Sequence, residues 1–240
     1  MFLCERFSAV LLLSTKLVHL RSLLPGEEIT PATGADIPAM LEVADAALGP
    51  GARRAETFDG RFLSGMKAYI LRKEGKPAAY LWVTSQKHVI YPLRLWMEVP
   101  EDAAIVLDET TSPQNQRQGM LGKLLRFAWD DNSLRMVAIC VRSGNEASFA
   151  ANCRLGFCPV CIISMTRLLA TRLHVVRQHG SGVVRRFLSR ARITVNPFML
   201  RCRLNSGGLL DVGWTRGDVV NARTNLLRRC GGTCPDGETE

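Results

Sequence analysis

This 240-residue chain has no apolar run of the roughly 20 residues that a helix needs to cross a bilayer. Its four histidines (His19, His88, His174 and His179) stand far apart and form no HExxH pair, and only one CxxC occurs, at Cys158–Cys161. A structural zinc site needs four ligands at close spacing, so no metal centre is expected. Aromatic residues make up 7% of the chain, and within residues 167–203 only Phe187 and Phe198 interrupt the basic stretch. That segment therefore lacks the stacking platforms on which single-stranded nucleic acid is held. The same stretch lacks lysine: residues 167–240 carry 13 arginines and 5 acids, while residues 1–166 are nearly neutral, with 18 basic and 17 acidic residues. The net charge of +9 thus belongs to the last third of the chain.

What is present suits a folded protein. A 47% hydrophobic content argues against disorder, and 26.6 kDa allows one good-sized core with appendages. The eight cysteines, at 4, 140, 153, 158, 161, 202, 230 and 234, are scattered and read mostly as packing. The apolar stretch near the N-terminus lacks a basic region ahead of Glu5 and a small-residue cleavage site. Residues 1–27 read as an amphipathic or upstream-extended leader, with a membrane-touching helix as the alternative. A cytoplasmic location is expected.

Periodicity divides the middle of the chain. A short strand at Glu28–Thr30 precedes a helix over Ile37–Ala47, capped by Asp36 and ended by Gly49-Pro50-Gly51. A polar connector follows. Lys67–Arg72 and Pro77–Thr84 form a hairpin about Lys73-Glu74-Gly75-Lys76. Strands are expected at 88–99, 103–109, Met136–Arg142 and Val160–Leu169, and helices at 119–131 and 145–154. Val183, Val184, Phe187, Leu188 and Ala191 against Arg185, Arg186, Arg190 and Arg192 read as a basic amphipathic helix. Residues 231–240 are expected to be disordered.

The most informative segment is Pro113–Leu125. A turn rich in amide and cationic side chains (Gln116, Arg117, Gln118) runs through Gly119, Met120, Leu121 and Gly122 into an apolar helix, directly after a strand. Free backbone N–H groups at such a helix start can hold a phosphate, favoured by the helix dipole. An ordinary helix entry is the plain alternative for this segment taken alone. Downstream, Asn145 is followed twelve residues later by the Phe157 of Leu155-Gly156-Phe157, with glycine suited to a left-handed cap.

Loop and Asn…Gly-Phe unit together resemble the GNAT superfamily of acyl-CoA-dependent N-acyltransferases, over roughly residues 28–168. The family's loop reads Gln/Arg-x-x-Gly-x-Gly/Ala. Gln116 and Gly119 match it, whereas Leu121 stands where a small residue is expected, beside Gly122. Tyr69–Thr84 is similar to the family's central hairpin. The resemblance implies an α/β (α+β) fold with a mixed, mostly antiparallel central sheet flanked by helices, here with a basic C-terminal extension over 169–240, partly helical. It implies acetyl-CoA as acyl donor. Amides of residues 117–122 would take the diphosphate, Gln116, Arg117 and Gln118 would add donors at the rim, and Thr110 and Thr111 would lie beside the pantetheine arm. Asn145 would help hold the next strand open, or cap a helix, or both.

Attack by an amine needs a proton acceptor. Asp108 and Glu109 are candidates on the strand. Alternation puts only one of them on the cleft face, and Glu109 is preferred. The family often protonates the departing thiolate with a Tyr seven residues after the Asn. Asn152 occupies that position here, so Ser148 or water would substitute. The expected reaction is transfer of an acetyl group to a primary amine: a small molecule such as an amino sugar, amino acid, polyamine or antibiotic, or a peptide N-terminus. A longer-chain acyltransferase is a variant. A non-catalytic acyl-CoA-binding module, its Arg-rich tail docking on nucleic acid or anionic lipid, is the alternative class. The sequence is silent on oligomeric state.

Overall fold

A computed structural model describes residues 4–85, 88–90, 93, 95–168, 171–178, 184–190, 200–204 and 210–214. In chain order its strands begin with β1 (Cys4–Ser14), β2 (Glu27–Ala32), β3 (Lys67–Lys73), β4 (Lys76–Thr84), β5 (His88–Ile90), β6 (Leu95–Glu98) and β7 (Ala103–Thr111). They continue with β8 (Met136–Arg142), β9 (Cys158–Leu168), β10 (Thr171–Gln178), β11 (Val184–Arg190), β12 (Leu200–Leu204) and β13 (Leu210–Trp214). The helices are α1 (Ile37–Leu48), α2 (Ala55–Leu63), α3 (Met120–Asp131) and α4 (Glu146–Arg154). This is the expected mixed fold, a mostly antiparallel sheet with flanking helices. The chain divides into two compact units, residues 16–85 with 102–137 and residues 1–15 with 86–101 and 138–240.

In the first unit the strands run in the order β7-β4-β3-β2, all antiparallel. Glu74 (φ 53°) and Gly75 (φ 77°) close the β3–β4 hairpin, and a two-residue turn with both φ positive matches the twist of its strands. On one face Ala68, Ile70, Tyr80 and Trp82 pack with Ile37, Met40, Val43 and Ala44 of α1 and Phe58 of α2. On the other face Tyr69 stacks edge-on against Phe127 of α3 at 5.7 Å, and its hydroxyl donates to Asp131 Oδ2 at 2.6 Å. Helices thus cover both faces of β4, which explains its nearly continuous apolar reading.

Helix α2 was not legible in the sequence, where its residues read as a polar connector. Its apolar stripe is only Ala55, Phe58 and Phe62, among Glu56, Asp59, Gly60 and Arg61. The stripe is decided by the sheet it covers: Phe58 lies 5.7 Å from Tyr80 and 5.5 Å from Trp82, and Phe62 4.7 Å from Trp82.

In the second unit the order is β11-β10-β9-β1-β8. Two expectations change here. Cys4–Ser14 is a sheet strand, antiparallel to β9 from Cys4↔Leu168 to Leu13↔Cys158, where an amphipathic leader was expected. Leu11, Leu12 and Leu13 are buried, so their hydrophobicity serves a core. Val184–Arg190 is a strand paired with β10, where a basic amphipathic helix was expected. Pairing along a neighbouring strand satisfies its backbone, a long-range term that helical spacing alone cannot report. Where one strand was expected over 88–99, His88–Ile90 and Leu95–Glu98 form two short antiparallel strands, β5 and β6, in a second sheet of order β13-β12-β6-β5. Cys158 is disulfide-bonded, and Cys161 is buried in the core. The expected disorder at 231–240 lies outside the described residues.

A buried ion pair fixes the start of β2 to α3. Lys123 Nζ donates to Glu27 Oε2 at 2.5 Å, with side-chain exposures of 1% and 0%, and Leu24 N–H donates to the same oxygen at 2.8 Å. Burial pushes the Glu27 carboxyl up, but the Leu24 amide and the Lys123 ammonium outweigh it and hold it below its ordinary value of 4.5. A lowered folded-state pKa gives stability that is present above 4.5 and is lost as pH falls through the folded value. Lys123→Ala should cost about 3–5 kcal/mol in urea unfolding at pH 7, because it strands a buried carboxylate. Glu27→Gln should flatten the fall in stability below pH 4.5, compared with the parent protein by the same titration.

Candidate functional site

Strand β7 breaks its own ladder where its candidate site residues begin. Tyr80 pairs with Thr110 and Trp82 with Leu107, so Leu81 alone opposes Asp108 and Glu109. This is a β-bulge, with Asp108 at φ 46°. The bulge cancels the simple alternation used to choose between the two carboxylates. Asp108 turns to a pair of arginines and Glu109 is half-buried.

Arg53 grips Asp108 with both ends of its fork, Nε to Oδ2 at 3.2 Å and Nη2 to Oδ1 at 2.7 Å. Arg61 brings Nη1 to 2.7 Å from Oδ2, as an ion pair without aligned hydrogen-bond geometry. Burial raises the Asp108 carboxyl, but the Arg61 and Arg53 charges prevail and hold it below the usual carboxylate range. Asp108 is therefore a fixed anion and a poor proton acceptor. Arg61 also lies over two rings, 5.2 Å from the Trp82 centroid and 5.8 Å from that of Phe58. Sequence reasoning missed both arginines, because the segments that carry them looked like connector. Only the Phe58, Phe62 spacing hinted at the helix that presents Arg61.

Beyond the bulge, Thr110 is buried beside Tyr80, its Oγ1 donating to Asp108 O at 3.3 Å, and Thr111 is half-buried opposite Ala79. Ser112 anchors the loop by donating from N and Oγ to Ala78 O, at 2.9 and 3.1 Å. A short 3-10 turn, Pro113–Asn115, leads to Gln116 and the exposed Arg117, whose φ is 62°. Gln118 Nε2 donates to Gln114 O at 3.0 Å, and its Oε1 accepts from Lys73 Nζ at 3.0 Å. Gly119, at φ 78°, is the N-cap of α3 and provides no capping side chain. The first amides of the helix, through Met120, Leu121 and Gly122, are thus left without a side-chain acceptor. A Cβ on Gly119 would also meet Arg21 Cδ at 3.0 Å. Leu121 is half-buried and Met120 and Gly122 are buried, so the departure from the small-residue pattern leaves the helix entry intact. An uncapped helix start reached through a left-handed glycine, with Arg117, Arg21 and Lys73 around it, fits a diphosphate.

The other expected residues lie in the second unit. Asn145 caps α4, its Oδ1 accepting from Ser148 N–H at 3.2 Å. Asn152 is fully buried and donates to Ser148 O at 3.1 Å and to Ser148 Oγ at 3.4 Å. Its carbonyl accepts from Leu155 and Phe157 N–H, with Gly156 at φ 94° completing the turn. Among the described residues no cluster of metal-ligating side chains occurs.

No family model and no curated protein matches the chain. Solved structures do. A conserved protein of unknown function from Staphylococcus epidermidis superposes with a TM-score of 0.51 at 12% identity, over 68% of this chain and 62% of that one. A putative GNAT-family acetyltransferase from Novosphingobium aromaticivorans gives a TM-score of 0.49 at 19% identity, over 69% and 65%. The Escherichia coli ribosomal-protein-S18-alanine N-acetyltransferase gives 0.41 at 22%, over 52% and 74%. The fold is shared with the Staphylococcus epidermidis protein, a mixed and mostly antiparallel sheet flanked by helices. At these identities the likeness is one of fold alone, and this chain spans less than two thirds of the length of the first two structures.

Asp108→Asn keeps a side chain that tolerates positive φ and removes the charge, and should cost about 2 kcal/mol by leaving charged donors unmet. Asp108→Ala should cost about 1 kcal/mol more, from the strained backbone. Chemical denaturation of the two variants side by side measures that difference.

Proposed function

We propose that this protein is an acyl-CoA-dependent N-acyltransferase that moves an acetyl group from acetyl-CoA to a primary amine by direct attack. The observation that carries the reading is the uncapped start of α3, entered through Gly119 at φ 78° straight from a bulged strand. The amides of residues 117–122 hold the diphosphate there, and Gln116, Arg117 and Gln118 add donors at its rim. Acetyl-CoA, when bound, supplies the activated carbonyl. The β7 bulge leaves backbone groups out of the ladder, and an N–H so released can stabilise the developing oxyanion. Asp108 is committed to its arginines, and the half-buried Glu109 beside it is assigned to accept the amine's proton, directly or through water. Coenzyme A thiol leaves readily enough for water to protonate it.

Asn152 favours a second reading. An amide at the position where the family often places a tyrosine is no proton donor, which suits a protein that binds acyl-CoA without turning it over. Calorimetry with coenzyme A and acetyl-CoA, followed by thiol release over a panel of amines, separates the two. Glu109→Gln should lower kcat about 10²–10⁴-fold, the usual share of general acid–base catalysis, with the coenzyme A Kd unchanged. Absence of affinity for any coenzyme A species would overturn both readings.

A further inference from the structure

The Asp108 cluster holds more positive charge and more donors than its own carboxylate can use. Two guanidiniums, Arg53 and Arg61, with side-chain exposures of 32% and 18%, face one carboxylate at 16%. Among the described residues, Asp108 is the one acid in contact with either arginine. A carboxylate can meet one arginine fork fully, and Arg53 takes that place through both Asp108 oxygens. Arg61 is left with a lateral ion pair, and its buried Nη1 makes no aligned hydrogen bond. Beneath its guanidinium the Trp82 indole is fully buried, and Nε1 has no acceptor. A buried donor left unmet costs about 1–3 kcal/mol. The Asp108 pairs support the fold, but Trp82 Nε1 and the second arginine fork leave donor capacity that a ligand with acceptor oxygens could meet.

Place and charge define that ligand. The cluster sits at the β7 bulge, one residue before Glu109 and two before Thr110, and residues along a strand advance about 3.3 Å each. The arginine cluster and Glu109 therefore meet at one bulge of one strand, which is the position an acceptor carrying both an amine and an anion would span. We propose that Arg61, with Trp82 and Arg53, binds a carboxylate carried by the acceptor, so that the acceptor is an amino acid rather than a polyamine, an alkylamine or a peptide N-terminus with no carboxylate nearby. A surplus positive charge repels a polycation and attracts a zwitterion. Arg61 is a specificity residue in this scheme, its fork matching the two oxygens of a planar carboxylate. The proposal rests on the acyltransferase reading for its location and on the cluster for its chemistry.

Two measurements keep those apart. Thiol release from acetyl-CoA is compared for amino acids and their amides, alanine against alaninamide and glycine against glycinamide, with ethylamine and spermidine alongside. The acids should exceed their amides by at least tenfold in kcat/KM, and Arg61→Met should bring that ratio close to one while leaving the coenzyme A Kd unchanged. Independently of turnover, sodium propionate should raise the thermal midpoint of the coenzyme-free protein where propionamide does not, and Arg61→Met should abolish the difference. If Arg61→Met fails to fold, Arg53→Gln serves in its place and should at least weaken the preference. Amides or spermidine used as well as acids would overturn the proposal, as would propionate and propionamide acting alike. A propionate effect without thiol release would uphold the carboxylate site and count against catalysis instead.

Discussion

Strand β4 cannot be exposed on either side, and its pairing with β7 is the constraint from which the site follows. Tyr80 and Trp82 face α1 and α2, while α3 covers the opposite side. A strand so enclosed must hydrogen-bond along both edges, since a buried unpaired backbone group is costly. It does so with β3 on one edge and β7 on the other. The ladder with β7 slips by one residue at Asp108. That slip turns Asp108 toward α2 and leaves Glu109 and Thr110 in the chain between Asp108 and the loop that enters α3.

Two electrostatic devices then divide the work. At the entry of α3 the positive character comes from the helix end and from side chains around it, with Arg21 packed against the bare Gly119. At the bulge it comes from Arg53 and Arg61 against a single acid. The Lys123–Glu27 pair belongs to neither device. It is fully enclosed and neutral, and it ties the segment that carries Arg21 to the helix whose start Arg21 touches. Positioning the loop this way costs desolvation of two charges, which the Leu24 amide and the close contact offset.

Legibility in the sequence followed the range of the interactions involved. The β3–β4 turn, α1, α3, α4 and β8 were readable because short-range rules specify them: positive-φ turn residues, apolar spacing and a glycine after the helix. The helix start at Gly119 was readable for the same reason. β1 and β11 were not, because each gains its conformation from a strand far away in the chain. Cys4–Ser14 finds its partner in β9, more than a hundred residues later, and nothing within eleven residues announces that.

The sequence by itself determined that a polar glycine loop would start a helix after a strand, that Asn145 could cap α4, and that basic charge would gather in the last third. Those are matters of local chemistry. Only tertiary structure decided which strand carboxylate is spent, since the bulge depends on the register of β7 against β4. It alone brought Arg53 and Arg61, from a segment that read as connector, onto Asp108 some fifty residues away. Contacts between distant positions are set by packing of the sheet under its helices, and no local pattern encodes them.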